Sequence, residues 1–184
     1  MTEPQIQYAK TSDGVSIAFI DLGEGTPLVS FGSVFGAAHE YASGPPLFRA
    51  PTDELVAAGF RCIRYDGRGT GSSDRDAVDF SLDASLRDLE AVVQSLDLGG
   101  FDLIARAHGG PTAIAYAVQH PERVSHLMLV DTAASGRELH AAEVRPINVI
   151  QTGSQAEWEY FTLNLGNQFM NKTLHGIVDL NQRI

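Results

Sequence analysis

Residues 102–124 read DLIARAHGGPTAIAYAVQHPERV, and this stretch decides the fold. Leu103 and Ile104 belong to a short apolar strand, the residues around Gly109 and Gly110 make a tight turn, and a helix follows from Pro111 to Gln119. A strand that bends sharply into a helix forms an elbow, the arrangement that in catalysts lifts a nucleophilic side chain above a sheet. The residue at the lifted position is Ala107. A methyl group stands where the chemistry belongs.

Outward from the elbow, the chain alternates. IQYAK and VSIAFIDLG flank Ser12-Asp13-Gly14, and an Asp-Gly pair between two such runs signals a hairpin. PLVSF is a third apolar run, ending at Gly32. Helical spacing extends from Leu47 to Ala58, with Asp53 and Glu54 on the polar side and Gly59 as the stop. RCIRY reads as a fourth strand and leads into the glycine-rich loop DGRGTGSSDR. Ser81 then opens a helix whose Leu86, Leu89, Val92, Val93 and Leu96 recur at helical steps, with Asp83 and Asp88 toward its positive end. FDLIA and SHLMLVD are the fifth and sixth strands. From the third run onward strands and helices alternate, which predicts an α/β fold: a mostly parallel sheet with helices on both faces, behind an antiparallel hairpin. After Asp131 the pattern turns to loops and helices with only a weak strand signal at INVI, and the candidate boundary lies near Ser135-Gly136.

Bulk properties narrow the function. The 184 residues suffice for one domain with a real core. Thirteen basic against 23 acidic residues give a net charge of −10, which repels phosphate backbones and anionic lipid, so neither nucleic acid nor a membrane surface is the expected partner. Arg61, Arg64, Arg68 and Arg75 are interleaved with Asp66, Asp74 and Asp76 and make no basic patch. The one cysteine, Cys62, sits in an apolar run and reads as a buried small hydrophobe; alone it makes no internal disulfide and no multi-cysteine metal site. The first residues, MTEPQIQYAK, lack the features of a signal peptide, no apolar run approaches the roughly 20 residues of a membrane span, and the expected location is cytoplasmic. No cofactor motif is present: the glycine-rich loop has neither the phosphate-loop pattern nor dinucleotide spacing. No histidine pair has zinc spacing, so the expectation for metal is none.

RYDGRGTGSSDR, the elbow sequence and LMLVDTAA, in that order, resemble the α/β-hydrolase fold, from Gln5 to about Thr132. More narrowly, YAKTSDGVSIAF and PLFRAPTDELVAAGFRCIRYDGRGTGSSD are similar to hydrolase-like modules fused to bacterial adenylate cyclases and helix-turn-helix regulators. The resemblance implies a six-stranded core over residues 1–135 and a partial, helical cap over 136–184, the fold being cut after its sixth strand and the start of the cap. It also implies an oxyanion pocket formed by the backbone N–H groups of His108 and of Val34 in FGSVFG, a stabilisation worth several kcal/mol in an active hydrolase. Gly109 and Gly110 would let the helix pack close to the strand.

Against that family the catalytic parts are missing. The motif Gly-x-Ser-x-Gly reads Ala105-Arg106-Ala107-His108-Gly109, and the His-Gly usual in the oxyanion loop reads Gly32-Ser33. The family's acid and histidine follow the seventh and eighth strands, and neither is encoded before the sequence stops. The loss at Ala107 is either natural or an engineered Ser-to-Ala exchange; the departures at Ala105 and Arg106 favour divergence.

The remaining candidates each carry two readings. His108 is a polar wall residue or a proton acceptor, and His39 in GAAHEY lines a pocket mouth or sits in a solvated loop. Asp131 caps the turn after the sixth strand, or stands where some relatives keep the triad acid. Asp66 is expected to hold the glycine-rich loop through backbone N–H groups. Trp158, Tyr160, Phe161 and Phe169 contact an apolar ligand or pack within the cap. The expected ligand pocket comprises Gly32, Ser33, Val34, Arg106, Asp131 and Trp158, and its occupant is a small apolar ester-like or acyl molecule.

Three functional outcomes follow from the sequence: a protein derived from a serine hydrolase and inactive as written, a non-catalytic ligand-binding or sensory module, or a fragment of an active hydrolase. The sixth strand, left as an apolar edge, is expected to pair with a second copy or another partner.

Overall fold

The computed structural model describes residues 4–32, 37–43 and 46–134. Its chain divides into two compact units, Met1–Gly136 and Arg137–Ile184; the second, with Trp158, Tyr160, Phe161 and Phe169, lies outside the described residues, as do Ser33 and Val34.

Strands β1 (Gln7–Lys10) and β2 (Ser16–Leu22) form the hairpin signalled by Asp13-Gly14. The turn closes through the Thr11 N–H bond to Val15 O at 2.9 Å, and the Thr11 hydroxyl donates to the Asp13 carboxylate. β3 (Thr26–Phe31), β4 (Phe60–Tyr65), β5 (Phe101–Arg106) and β6 (Val124–Val130) follow. The sheet order is β1-β2-β4-β3-β5-β6; β3 pairs parallel with both β4 and β5, β5 pairs parallel with β6, and β2 pairs antiparallel with β4. The crossover from β3 to β4 therefore runs one way and that from β4 to β5 runs back past β3. Crevices in such sheets open beyond the carboxyl ends of the strands where the order reverses.

Alternation along β2 sets the two faces. Ile17 and Phe19 join the main core with Val29, Phe31, Leu89, Val92, Leu103 and Tyr116, whereas Ile20 packs with Ala38 and Tyr41 on the other side. The main core is covered by α3 (Leu82–Ser95) and α4 (Gly110–Gln119), the opposite face by α1 (Ala37–Ser43) and α2 (Pro46–Ala57). Helices on both faces of a mostly parallel sheet are thus observed. Ser81 caps α3, its hydroxyl accepting from Ala84 N–H.

Two expectations are corrected. The segment around His39 is not a loop: it is α1, whose first N–H groups, those of Ala38 and His39, donate to Asp66 at 2.7 and 3.2 Å. Nor does Asp88 serve the helix dipole. It is the seventh residue of α3, 2 % exposed, and its carboxylate accepts from the Arg68 guanidinium and from Arg68 N–H.

Arg68 and Asp66 turn the glycine-rich loop into a rigid part. Arg68, itself buried, bridges Asp88 on α3 and Asp13 in the hairpin turn. Asp66 also accepts from Ser72 N–H, while Ser73 links Asp66 O to Ala18 N. Gly71, at φ +50, passes so near that a Cβ there would collide with the Asp66 carboxylate. The loop is held by hydrogen bonds to Asp66, as the sequence suggested. Cys62 is buried, and burial raises its thiol to about 11.

Arg68, Thr11 and Arg87 hold the Asp13 carboxyl far below the usual carboxylate range. A depressed folded value means that Asp13 contributes stability which is complete above its unfolded pKa of about 4 and is lost as pH falls toward the folded value. Burial moves Asp88 and Asp66 the opposite way, so neither adds to that loss. Asp13→Asn is expected to cost about 1 kcal/mol at pH 7, the size of an ion pair that solvent still reaches, and to flatten the decline in stability between about pH 4 and pH 2. Urea unfolding of both proteins across that range measures it.

Candidate functional site

Four strand ends converge beyond the sheet: Gly32 after β3, Asp66 after β4, Ala107 after β5 and Asp131 after β6. Arg106 closes β5 in extended conformation, φ −121 and ψ 157. Ala107 then adopts φ +44, a 3-10 turn covers Ala107–Gly109, and α4 begins at Gly110 with φ −55 and ψ −51. For a residue with a Cβ, the left-handed conformation costs roughly 1–2 kcal/mol. The elbow is present, strain included, with alanine at its apex.

Close packing fixes this bend. Gly32, at φ +97, abuts the Arg106 carbonyl so tightly that no Cβ fits. A Cβ on Gly109 would come within 3.0 Å of the Phe31 ring, and one on Gly110 would strike the Thr132 hydroxyl. Both glycines thus bring the start of α4 close to its neighbours, which are Phe31 at the end of β3 and Thr132 beyond β6. Thr132, just past β6, completes the junction: its hydroxyl accepts from Gly110 N–H at 3.1 Å and donates to the Ala107 carbonyl. Sequence reading missed Thr132, whose partners lie 22 and 25 residues away.

At the apex, Ala107 contributes a partly exposed methyl and no titratable or nucleophilic atom. The N–H of His108 lies in the first turn, where helical N–H groups have no partner within the helix. Its imidazole is open to solvent on one side and crowded by protein on the others, and the lost hydration lowers its pKa below the ordinary histidine value. Arg106 and Asp131 are both exposed, and Asp131 adopts φ +48. The Asp131 carboxylate makes no hydrogen bond among the described residues.

A crevice of about 230 Å³ lies beside the elbow, between it and the glycine-rich loop. Gly32 and His108 line it; Arg106, Ala107 and Asp131 are not in its wall. Ser33, Val34 and Trp158, also expected around a ligand, fall outside the described residues. Among the described residues no group of three or more His, Cys, Asp or Glu side chains is arranged to hold a metal ion, and no helix is long and apolar enough to cross a membrane.

Ala107→Gly, which relieves the left-handed strain, is expected to raise unfolding stability by about 1 kcal/mol. Thr132→Val, which leaves the Gly110 N–H and Ala107 carbonyl without their partner, is expected to cost about 1–3 kcal/mol. Denaturant midpoints measure both, and equal midpoints for the parent protein and its Ala107→Gly variant would place this residue outside the left-handed region.

Comparison with known proteins bears on this geometry. A family model described as the alpha/beta hydrolase fold matches residues 34–179. The AB hydrolase superfamily protein YisY of Bacillus subtilis (strain 168) is 32% identical over 128 residues, 69% of this chain and 45% of that protein. A 2-hydroxy-6-oxononadienedioate/2-hydroxy-6-oxononatrienedioate hydrolase of Paraburkholderia xenovorans (strain LB400) is 34% identical over 131 residues, 69% of this chain and 44% of that one. Among solved structures, an esterase from Exiguobacterium antarcticum superposes with a TM-score of 0.62 at 29% identity, covering 71% of this chain and 46% of the esterase. The chain spans a little under half the length of these relatives.

Proposed function

The chain belongs to the α/β-hydrolase fold family, and on that footing we propose that it is a non-hydrolytic member which binds a small ester-like or acyl ligand without turning it over. One observation carries this reading: the elbow keeps its strained apex at φ +44 while the apex residue is Ala107. Serine-hydrolase chemistry requires an oxygen or sulfur nucleophile there, activated by a neighbouring base, to form the acyl intermediate. A methyl group forms no such bond. His108 supplies a ring nitrogen, but without a nucleophile at the apex there is no proton for it to take.

Binding does not need the nucleophile. The N–H of His108 and the positive end of α4 favour a carbonyl oxygen at the apex. The ligand's acyl portion would then rest on the Ala107 methyl, which fills less space than a side chain bearing a hydroxyl. The esterase and dienedioate hydrolase relatives support a carbonyl-bearing ligand.

Incubated with a short p-nitrophenyl ester, the protein is expected to release p-nitrophenol no faster than buffer. A non-hydrolysable acyl analogue such as an alkyl ketone is expected to raise the melting temperature. Turnover well above buffer would contradict the reading, as would the absence of any shift across a panel of such ketones.

The reading extends to assembly. β6 has a single neighbour in the sheet among the described residues, and Leu127, Met128 and Leu129 are each more than a third exposed. On a chain of net charge −10 this strand carries no Asp, Glu, Lys or Arg, so two copies can approach along it with little repulsion. Antiparallel pairing about Leu127 would set His126 opposite Met128. Light scattering is expected to return a dimer that Met128→Lys converts to monomer; a monomeric parent protein would refute the pairing.

A further inference from the structure

The crevice beside the elbow has a chemistry of its own, and the hydrolytic ancestry of the fold does not account for it. Tyr65, the last residue of β4, is 2 % exposed, and Thr112, in the first turn of α4, is 5 % exposed. Both line the crevice, and neither hydroxyl makes a hydrogen bond among the described residues. Neither oxygen is among the sealed, unpartnered polar atoms of the described residues, so both open into the crevice and bond to whatever fills it, water or ligand. Two hydroxyls opening from one wall therefore offer pairing to a hydrogen-bonding guest.

The rest of the wall defines that guest. Phe31 stacks on Tyr65 with ring centroids 4.9 Å apart, and Phe80 lies over Gly69 at the mouth. These rings favour a flat apolar body. Charge is neutralised locally: the Arg68 guanidinium is taken up by Asp13, Asp88 and the Asp79 carbonyl, and both Asp88 oxygens accept from Arg68. A carboxylate would find no available cation here, and an ammonium would meet Arg68 beside Asp88. His108 completes the polar wall. Burial keeps Tyr65 protonated and hence a donor, and favours the neutral imidazole at His108, which both donates and accepts. The volume exceeds the roughly 150 Å³ that holds a benzene ring in an apolar cavity.

We propose that the crevice between the glycine-rich loop and the elbow binds a small, uncharged hydroxyaromatic molecule, of which phenol is the simplest, with its ring among Phe31, Tyr65 and Phe80 and its hydroxyl paired by Tyr65, Thr112 and His108. Ala107 is absent from this wall, and although the crevice shares His108 with the apex it uses the ring and not the backbone N–H, so the assignment does not depend on the acyl-ligand reading.

Calorimetric titration of the full chain with phenol, toluene, benzoate and benzylamine tests this. Phenol is expected to bind at least about tenfold more tightly than toluene, a preference of about 1.4 kcal/mol, with benzoate and benzylamine weaker than phenol. Thr112→Val, which conserves shape, and Tyr65→Phe, which conserves the stacked ring, should each lower phenol affinity several-fold and leave toluene unchanged. Thermal unfolding checks that each variant is folded, and should Tyr65→Phe fail to fold, Thr112→Val decides alone. Equal binding of phenol and toluene, tighter binding of benzoate, phenol affinity indifferent to the hydroxyl deletions, or no binding of any probe would each overturn the assignment, the last leaving a crevice that holds only water.

Discussion

Three close approaches at glycines, two of them with no room for a Cβ, determine where the strand ends of this fold meet. Gly32 touches the Arg106 carbonyl, Gly109 meets the Phe31 ring and Gly110 meets the Thr132 hydroxyl. Together they bring the ends of β3, β5 and β6 to one point and force the chain to leave β5 through a left-handed residue. The strain at Ala107 is a consequence of that convergence and persists because neighbouring contacts determine it. An alanine at such an apex is poorly explained by local preference, since glycine would meet the backbone requirement at lower cost.

Burial and pairing pull against each other in the loop that supports this point. Asp13 and Asp88 share one arginine, yet the carboxyl reached by solvent is pushed down and the buried one is pushed up. The difference is desolvation, which for Asp88 outweighs the attraction of Arg68. A buried ion pair of this kind is weak evidence for stability, because desolvation consumes much of the Coulombic gain, but breaking it leaves an uncompensated charge. Its value here is positional. It fixes α3, the hairpin turn and the glycine-rich loop relative to one another, and so shapes one wall of the crevice.

Much of the fold was legible in the sequence because it depends on local order. Asp13-Gly14 gave the hairpin, the apolar period of Leu86 to Leu96 gave α3, and the small residues after Ile104 gave the elbow. What escaped reading depends on partners distant along the chain. α1 has only seven residues, and its first N–H groups are satisfied by Asp66, 27 and 28 residues onward. Asp88 looks like a helix-dipole residue until Arg68, 20 residues earlier, is seen against it. The site divides in the same way. Ala107, His108 and Gly32 follow from the strand-to-helix pattern, whereas Thr132, Tyr65 and Thr112 acquire meaning only from the cavity and carbonyls they face. A tyrosine ending a strand and a threonine opening a helix carry no signal in one dimension.

Taken together, the chain has an α/β-hydrolase fold whose strand-to-helix bend is intact and whose apex residue is Ala107. In the reading proposed above, the N–H of His108 and the helix end act on a ligand held at the apex, where Ala107 offers a methyl group. That account stands on the backbone conformation of a single residue. Scalar and residual dipolar couplings of Ala107, measured by NMR on the labelled protein, report its φ directly: the account predicts a positive value near the +44° of the structure, and a negative value, as in a continuous strand or a regular helix, would contradict it.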